Sequence, residues 1–171
     1  GTGGLNETGK GPSGAYHTIN VPFLSGLDDP TLTSLFSPIF TKLVEVYRPQ
    51  AIVLQCGADG LYGDPIDSAD QAFNLTLDGY MSCVRHVIAS QVPTMFLGGG
   101  GYNLANTARL WTSIVDLLVS GGNSLGLNND IPDHDAFFLE YAPSYEMRIE
   151  PGCLRNKNTP DYVQGVLATV M

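Results

Sequence analysis

The run PQAIVLQCGADGLYGDP, Pro49 to Pro65, decides how the rest of the chain reads. Ala51 to Gln55 is short and apolar, with β-branched Ile52 and Val53, and it is bounded by Pro49 and Gly57. That is the pattern of a strand buried on both faces. It ends in Cys56-Gly57-Ala58-Asp59, which sets a carboxylate just past the strand's carboxyl end. Open α/β sheets collect ligands outside that end. A second run, Thr94 to Leu97, passes into Gly98-Gly99-Gly100-Gly101-Tyr102-Asn103. Two such strands lying parallel would bring Asp59 and Tyr102 to one rim.

Working outward, the chain alternates. Gly1 to Gly14 is loop by composition, and Ala15 to Phe23 (AYHTINVPF) reads as a strand. A helix is expected from Pro30 to about Tyr47, kinked or split at Pro38. Thr76 is a plausible N-cap for a helix to about Gln91, with Tyr80, Val84, Val87 and Ile88 as its apolar stripe. Asn103 caps another helix to about Val119, with Leu104, Ala108, Trp111, Ile114, Val115 and Leu118 facing inward and Gly121-Gly122-Asn123 ending it. A short helix near Asp135 to Tyr141, a strand at Met147 to Ile149 and a last helix from Thr159-Pro160 complete the chain. This succession means an α/β fold, a mostly parallel sheet flanked by helices. A length of 171 residues fits one core.

Composition excludes some partners. With 17 acidic and 8 basic residues the formal charge is −9, which disfavours direct nucleic-acid binding. No apolar run reaches the roughly 18 residues of a membrane-spanning helix, so no membrane partner is expected. Cys56, Cys83 and Cys153 show no C-x-x-C spacing and fit free thiols in a reducing compartment. The sequons at Asn6 and Asn74 are read as chance matches.

The glycines invite a phosphate cradle. Gly4 to Lys10 fits G-x-x-x-x-G-K, but Gly11 stands where Ser or Thr is needed, and no apolar strand precedes it. The run at Gly98 to Gly101 has the setting of a dinucleotide loop, but Asn103 occupies the third glycine position. For a metal, Asp59 is well placed as one ligand, although an acid after a strand also serves turns and helix caps. His17, His86 and His134 are candidates by type alone, and none has ligand spacing to a partner. Tyr102 can donate to an oxyanion or can pack on the following helix. The four glycines before it imply a close approach, by a ligand or by another strand. Cys56, at a strand end without a nucleophile elbow, reads as a small buried hydrophobe.

LQCGADGLYGDP, FNLT at Phe73 to Thr76, and LGGGGYNLANTARLW from Leu97 to Trp111 resemble the class I zinc-dependent histone deacetylases. AYHTINVP resembles the family segment before its central helix, so the resemblance runs from Gly1 to about Pro151. Within the class it leans to the isoform numbered eight. Pro65 and Leu104 stand where corepressor-bound members carry arginines, which argues against an inositol-phosphate-dependent corepressor.

The resemblance implies an arginase/deacetylase-like fold and zinc-dependent hydrolysis of Nε-acetyl-lysine on histones or other proteins, in the nucleus with the cytoplasm as a second setting. It implies Asp59 as a zinc ligand and Tyr102 as the catalytic phenol. Gly100, Gly101 and Ile66 would line the substrate channel, and the His17 backbone carbonyl would bind a monovalent cation, K+. The family's Asp-x-His ligands and paired histidines have no counterpart here. Residues 1–171 are therefore expected to be the carboxyl-terminal half of one catalytic domain, completed by an upstream half. A non-catalytic deacetylase-like interaction module and a nucleotide-binding α/β domain are the competing readings.

Overall fold

The computed structural model describes residues 3–65, 72–121 and 129–171. Two parallel strands, β1 (Ile52–Gln55) and β2 (Thr94–Leu97), pair in the register Ile52↔Thr94 to Gln55↔Leu97. They are joined by α2 (Leu77–Ala89) and preceded by α1 (Asp29–Tyr47), while α3 (Leu104–Val119) follows β2. A final helix, α4 (Pro160–Val170), packs on α1. A single turn at Gly11–Gly14 and a 3₁₀ turn at Phe138–Tyr141 complete the regular structure. The order β–α–β–α with parallel pairing is the α/β arrangement read from the sequence.

The main core lies under one face of the sheet. Cys56, Ala58 and Leu61 meet Met81 and Val84 of α2 and Leu110, Ile114 and Leu117 of α3, with Leu54 and Phe96 packed against them. A smaller cluster joins Leu35 of α1 to Val163 and Val166 of α4. Helix starts are fixed by side-chain caps. The Asp28 carboxylate accepts from the Thr31 amide at 3.0 Å, and the Asn103 side chain accepts from the Asn106 amide at 3.1 Å. Asp29 links two helices: its carboxylate accepts from the Thr76 amide (2.9 Å) and hydroxyl (2.6 Å), and Thr76 itself caps α2.

Several expectations need correction. Ala15 to Phe23 forms no strand, because no described segment pairs with it. Its Val21 and Phe23 instead pack on the α1/α4 cluster, and the Tyr162 hydroxyl donates to the Pro22 carbonyl at 2.8 Å. Pro38 does not split α1, which runs unbroken through it and is held from both sides by α2 and α4. On α3 the buried stripe is Thr107, Arg109, Leu110, Ile114 and Leu117, whereas Leu104 and Val115 are exposed. That helix is apolar over so wide an arc that periodicity alone could not choose its face. Met147 to Ile149 is not a strand; an isolated bridge joins Asp130 to Glu146, and Ile149 enters the core. Gly122 and Asn123 lie outside the described residues. The Asn74 sequon is buried, its amide donating to the carbonyls of Gly26 (3.1 Å) and Leu154 (2.8 Å). No described helix is long and apolar enough to cross a membrane.

Arg109 anchors the segment after α3. It is 5% exposed, and its guanidinium donates to the carbonyls of Glu146 (2.7 Å), Ser144 (2.6 Å) and Tyr141 (3.1 Å) and to the Asn106 side chain (3.0 Å). It also lies 5.0 Å from the centroid of the Tyr141 ring. Removing it orphans three carbonyls at once. Arg109→Ala is expected to lower unfolding free energy by about 3 kcal/mol or more, measured by denaturant titration of the full-length protein. Arg109→Lys should recover little, since an ammonium does not reproduce the planar fork.

Candidate active site

Parallel pairing sends β1 and β2 out of the sheet at the same end, so their following loops run side by side. The ladder continues past the strands: the Cys56 amide donates to the Leu97 carbonyl at 2.8 Å, and the Ala58 amide to the Gly100 carbonyl at 2.6 Å. This second contact sets the backbone of Gly100 against Asp59. A Cβ at Gly100 would collide with the Asp59 carboxylate. At Gly101, with φ +140°, a Cβ would strike the Thr107 hydroxyl and lie 2.8 Å from the Ala58 methyl. The close approach implied by the glycine run is thus the approach of the neighbouring loop.

Asp59 is half-buried in a turn. Among the described residues no hydrogen bond or ion pair reaches its carboxylate, so it caps no backbone amide. A half-buried carboxylate without a partner, cradled where glycine leaves room, fits a hard cation. One carboxylate is not a complete site: among the described residues no group of three or more His, Cys, Asp or Glu side chains could hold a metal.

Tyr102 follows on the same rim. Its side chain is 56% exposed, which is not the packing of a core tyrosine. Its backbone amide donates to Asp64 Oδ2 at 2.7 Å, and the Asn103 amide donates to the same oxygen at 3.2 Å. Asp64 is 4% exposed. Sequence reading assigned Asp64 no role. Nothing in its neighbourhood signals a bond to residues so far along the chain, apart from the general affinity of a carboxylate for a helix N-terminus.

The remaining candidates divide. Ile66 lies outside the described residues. The His17 ring contacts the Ala15 carbonyl at 2.9 Å and is exposed. His86 packs edge-on against Phe36 and Phe40 and bonds the Thr41 hydroxyl at 2.8 Å. His134 is exposed beside Asp133. All three cysteines are free. Burial pushes the Cys56 thiol up and the Cys83 thiol up to about 12, so neither is a ready nucleophile.

A cavity of about 840 Å³ lies beside β1, lined by Leu54 to Cys56, Asp59, Gly60, Leu32, Phe36, Cys83 and Val84 among others. Tyr80 also lines it. Burial pushes its phenol well up; the Gly60 backbone hydrogen bond opposes this, and the negative charge of Asp59 adds to it.

The glycine run does not suit a nucleotide. A Cβ at Gly98 would lie 2.9 Å from the Trp111 ring, and the carboxylate beside Gly100 would repel a phosphate. Gly4 to Lys10 leads only into the single turn at Gly11–Gly14, with no strand before it among the described residues.

These features define an α/β domain that presents a carboxylate with no described partner and an exposed tyrosine at the carboxyl edge of a parallel sheet. The chain belongs to the histone deacetylase family: the family's histone deacetylase domain matches residues 1–118. Histone deacetylase 8 of Xenopus laevis is 40% identical over 170 residues, covering 99% of this chain and 49% of that protein. Histone deacetylase 8 of Danio rerio is 39% identical, covering 99% and 42%. Histone deacetylase RPD3 of Saccharomyces cerevisiae is 38% identical, covering 99% and 37%. The chain therefore spans less than half the length of these relatives. Its fold is that of the deacetylase domain, in part.

The contact of Gly100 with Asp59 is testable. Gly100→Ala in the full-length protein is expected to push the Asp59 carboxylate aside and lower the unfolding free energy by about 1–3 kcal/mol, read by denaturant titration. Stability equal to wild type would show that the carboxylate is free to move aside.

Proposed function

We propose that this chain is the carboxyl-terminal half of a catalytic domain that hydrolyses Nε-acetyl-lysine on histones or other proteins. The observation that carries the reading is the unpartnered Asp59 carboxylate held against Gly100, on the rim where the exposed Tyr102 emerges. Membership of the family supports it.

Asp59 would supply one anionic oxygen ligand to zinc. The metal, when bound, contributes Lewis-acid polarisation of the amide carbonyl and an activated water. The remaining ligands and the histidine that accepts the water's proton belong to the upstream half. Tyr102 is the donor for the carbonyl oxygen as it gains negative charge. A preplaced O–H there is worth about 2.7–4 kcal/mol if it behaves as other oxyanion donors do. Gly100 and Gly101 are the proposed lining of the acyl-lysine channel, and Ile66 the proposed residue near its rim. The His17 carbonyl is the proposed contact for K+.

The bare side of the sheet supports an upstream complement. Among the described residues β1 has β2 as its one neighbour, so its outer edge is unpaired. On the face away from α2 and α3, Val53 is 66% and Met95 61% exposed. Parallel sheets are ordinarily covered on both faces. A histone substrate would place the protein in the nucleus. Pro65 and Leu104 supply no cation for an inositol phosphate, so such a corepressor is left out of the proposal.

Tyr102→Phe in the full-length protein is expected to lower kcat on an acetyl-lysine peptide by about two orders of magnitude with zinc retained. Unchanged turnover would end the assignment. Asp59→Ala is expected to lose the metal; stoichiometric zinc by elemental analysis in that variant would remove Asp59 from the ligand set. A full-length protein that binds neither zinc nor a hydroxamate and leaves acetyl-lysine peptides intact would favour the interaction-module reading.

A further inference from the structure

Tyr102 has an exposed side chain, and no described hydrogen bond holds its hydroxyl. Where the phenol points is therefore a matter of where residues 101–103 hold its backbone. On one side that backbone is wedged, Gly101 lying between Thr107 and Ala58. On the other it is held by Asp64, whose single oxygen Oδ2 accepts from the amides of both Tyr102 (2.7 Å) and Asn103 (3.2 Å). A buried carboxylate accepting two amides at a helix N-terminus is a strong anchor, because charge, dipole and hydrogen bonds act together.

The same turn adds two weaker ties. The Asn103 side chain donates to the Gly63 carbonyl, and the Asn106 side chain to the Tyr62 carbonyl, both at 3.3 Å. Backbone turns continue from there to Asp59: the Asp64 amide donates to the Leu61 carbonyl at 3.2 Å, and the Leu61 amide to the Ala58 carbonyl at 3.1 Å. Leu61, 1% exposed, fixes the middle of that run in the core.

We propose that Asp64 is the positioning residue for Tyr102, tying the phenol to the loop that carries Asp59. It touches neither substrate nor metal. It sets the distance between the group that donates to the oxyanion and the carboxylate that holds the cation. The proposal rests on Tyr102 being the catalytic phenol, and a shift of about 1 Å in such a group costs up to roughly a hundredfold in rate.

The test uses the full-length, zinc-loaded protein with Asp64→Ala, Asp64→Asn, Asp64→Glu and Tyr102→Phe, and with Asp64→Ala combined with Tyr102→Phe. Asp64→Ala is expected to lower kcat about ten- to a hundredfold with KM nearly unchanged and zinc stoichiometric. Asp64→Asn, which keeps an acceptor in place, should restore most of that loss. Asp64→Glu keeps the charge but moves the acceptor, and should lose about tenfold. It carries the test, alone and combined with Tyr102→Phe, if the alanine variant does not fold. Hydrogen exchange should show the Tyr102 and Asn103 amides losing protection in Asp64→Ala. Adding Asp64→Ala to Tyr102→Phe should cost nothing further. An equal loss in both backgrounds, or full turnover in Asp64→Ala and Asp64→Glu, would overturn the positioning role. Full turnover in Tyr102→Phe would instead remove the catalytic reading beneath it.

Discussion

The hydrogen bond from the Ala58 amide to the Gly100 carbonyl is the constraint on which the rim depends. It extends the parallel ladder one step beyond the strands and closes the gap between two loops. Once the gap is closed, side chains must leave it. Residue 100 can carry no Cβ because the Asp59 carboxylate occupies that space, and residue 101 none because Thr107 and Ala58 do. Four glycines cost conformational entropy on folding; the closeness of the loops requires Gly99 and Gly100, the Trp111 ring requires Gly98, and Thr107 with Ala58 requires Gly101. The loops that carry Asp59 and Tyr102 run side by side because the backbone between them is bare.

That same closeness explains what was legible in the residues. β1 and β2 were readable because a short β-branched run bounded by proline and glycine has few other uses. The helix starts were readable because Thr76, Asn103 and Thr159 do local chemistry, each accepting from an amide two or three residues on. The strand expected at Ala15 to Phe23 failed for the opposite reason. Strand propensity describes fitness for a pleated, half-buried surface, and a segment without a neighbour forms no ladder whatever its residues prefer. The inward face of α3 was misread because Leu104, Trp111 and Val115 make a second apolar stripe beside the buried one, and Leu104 and Val115 lie open. That stripe and the exposed sheet face with Val53 and Met95 are apolar surfaces the described chain does not cover.

The placement of Asp59 and Tyr102 on one rim was legible in the sequence, and the side chains that hold that rim were not. Asp59 and Tyr102 stand at strand ends, where position alone suggests function. Arg109 and Asp64 act through backbone partners: the carbonyls of Tyr141, Ser144 and Glu146 in one case, the amides of Tyr102 and Asn103 in the other. A backbone partner has no residue identity, so no spacing rule exposes the pair. Such supports become visible only when coordinates show which charged side chains are buried, since a buried charge must be answered by something.

The proposed division of the site between this chain and an upstream segment would have a physical consequence for Asp59. An unpaired carboxylate is tolerable here because it is only half-buried and water can still reach it. Covering the sheet's bare face and edge would withdraw that water and raise the cost of leaving the charge unanswered. A cation then becomes the natural counter-charge, and covering the sheet and binding the metal favour each other. The aspartate at the end of β1 is in that sense a demand for the rest of the domain. The Gly100 backbone beside it leaves no room at that position for a side chain that would hydrogen-bond the carboxylate.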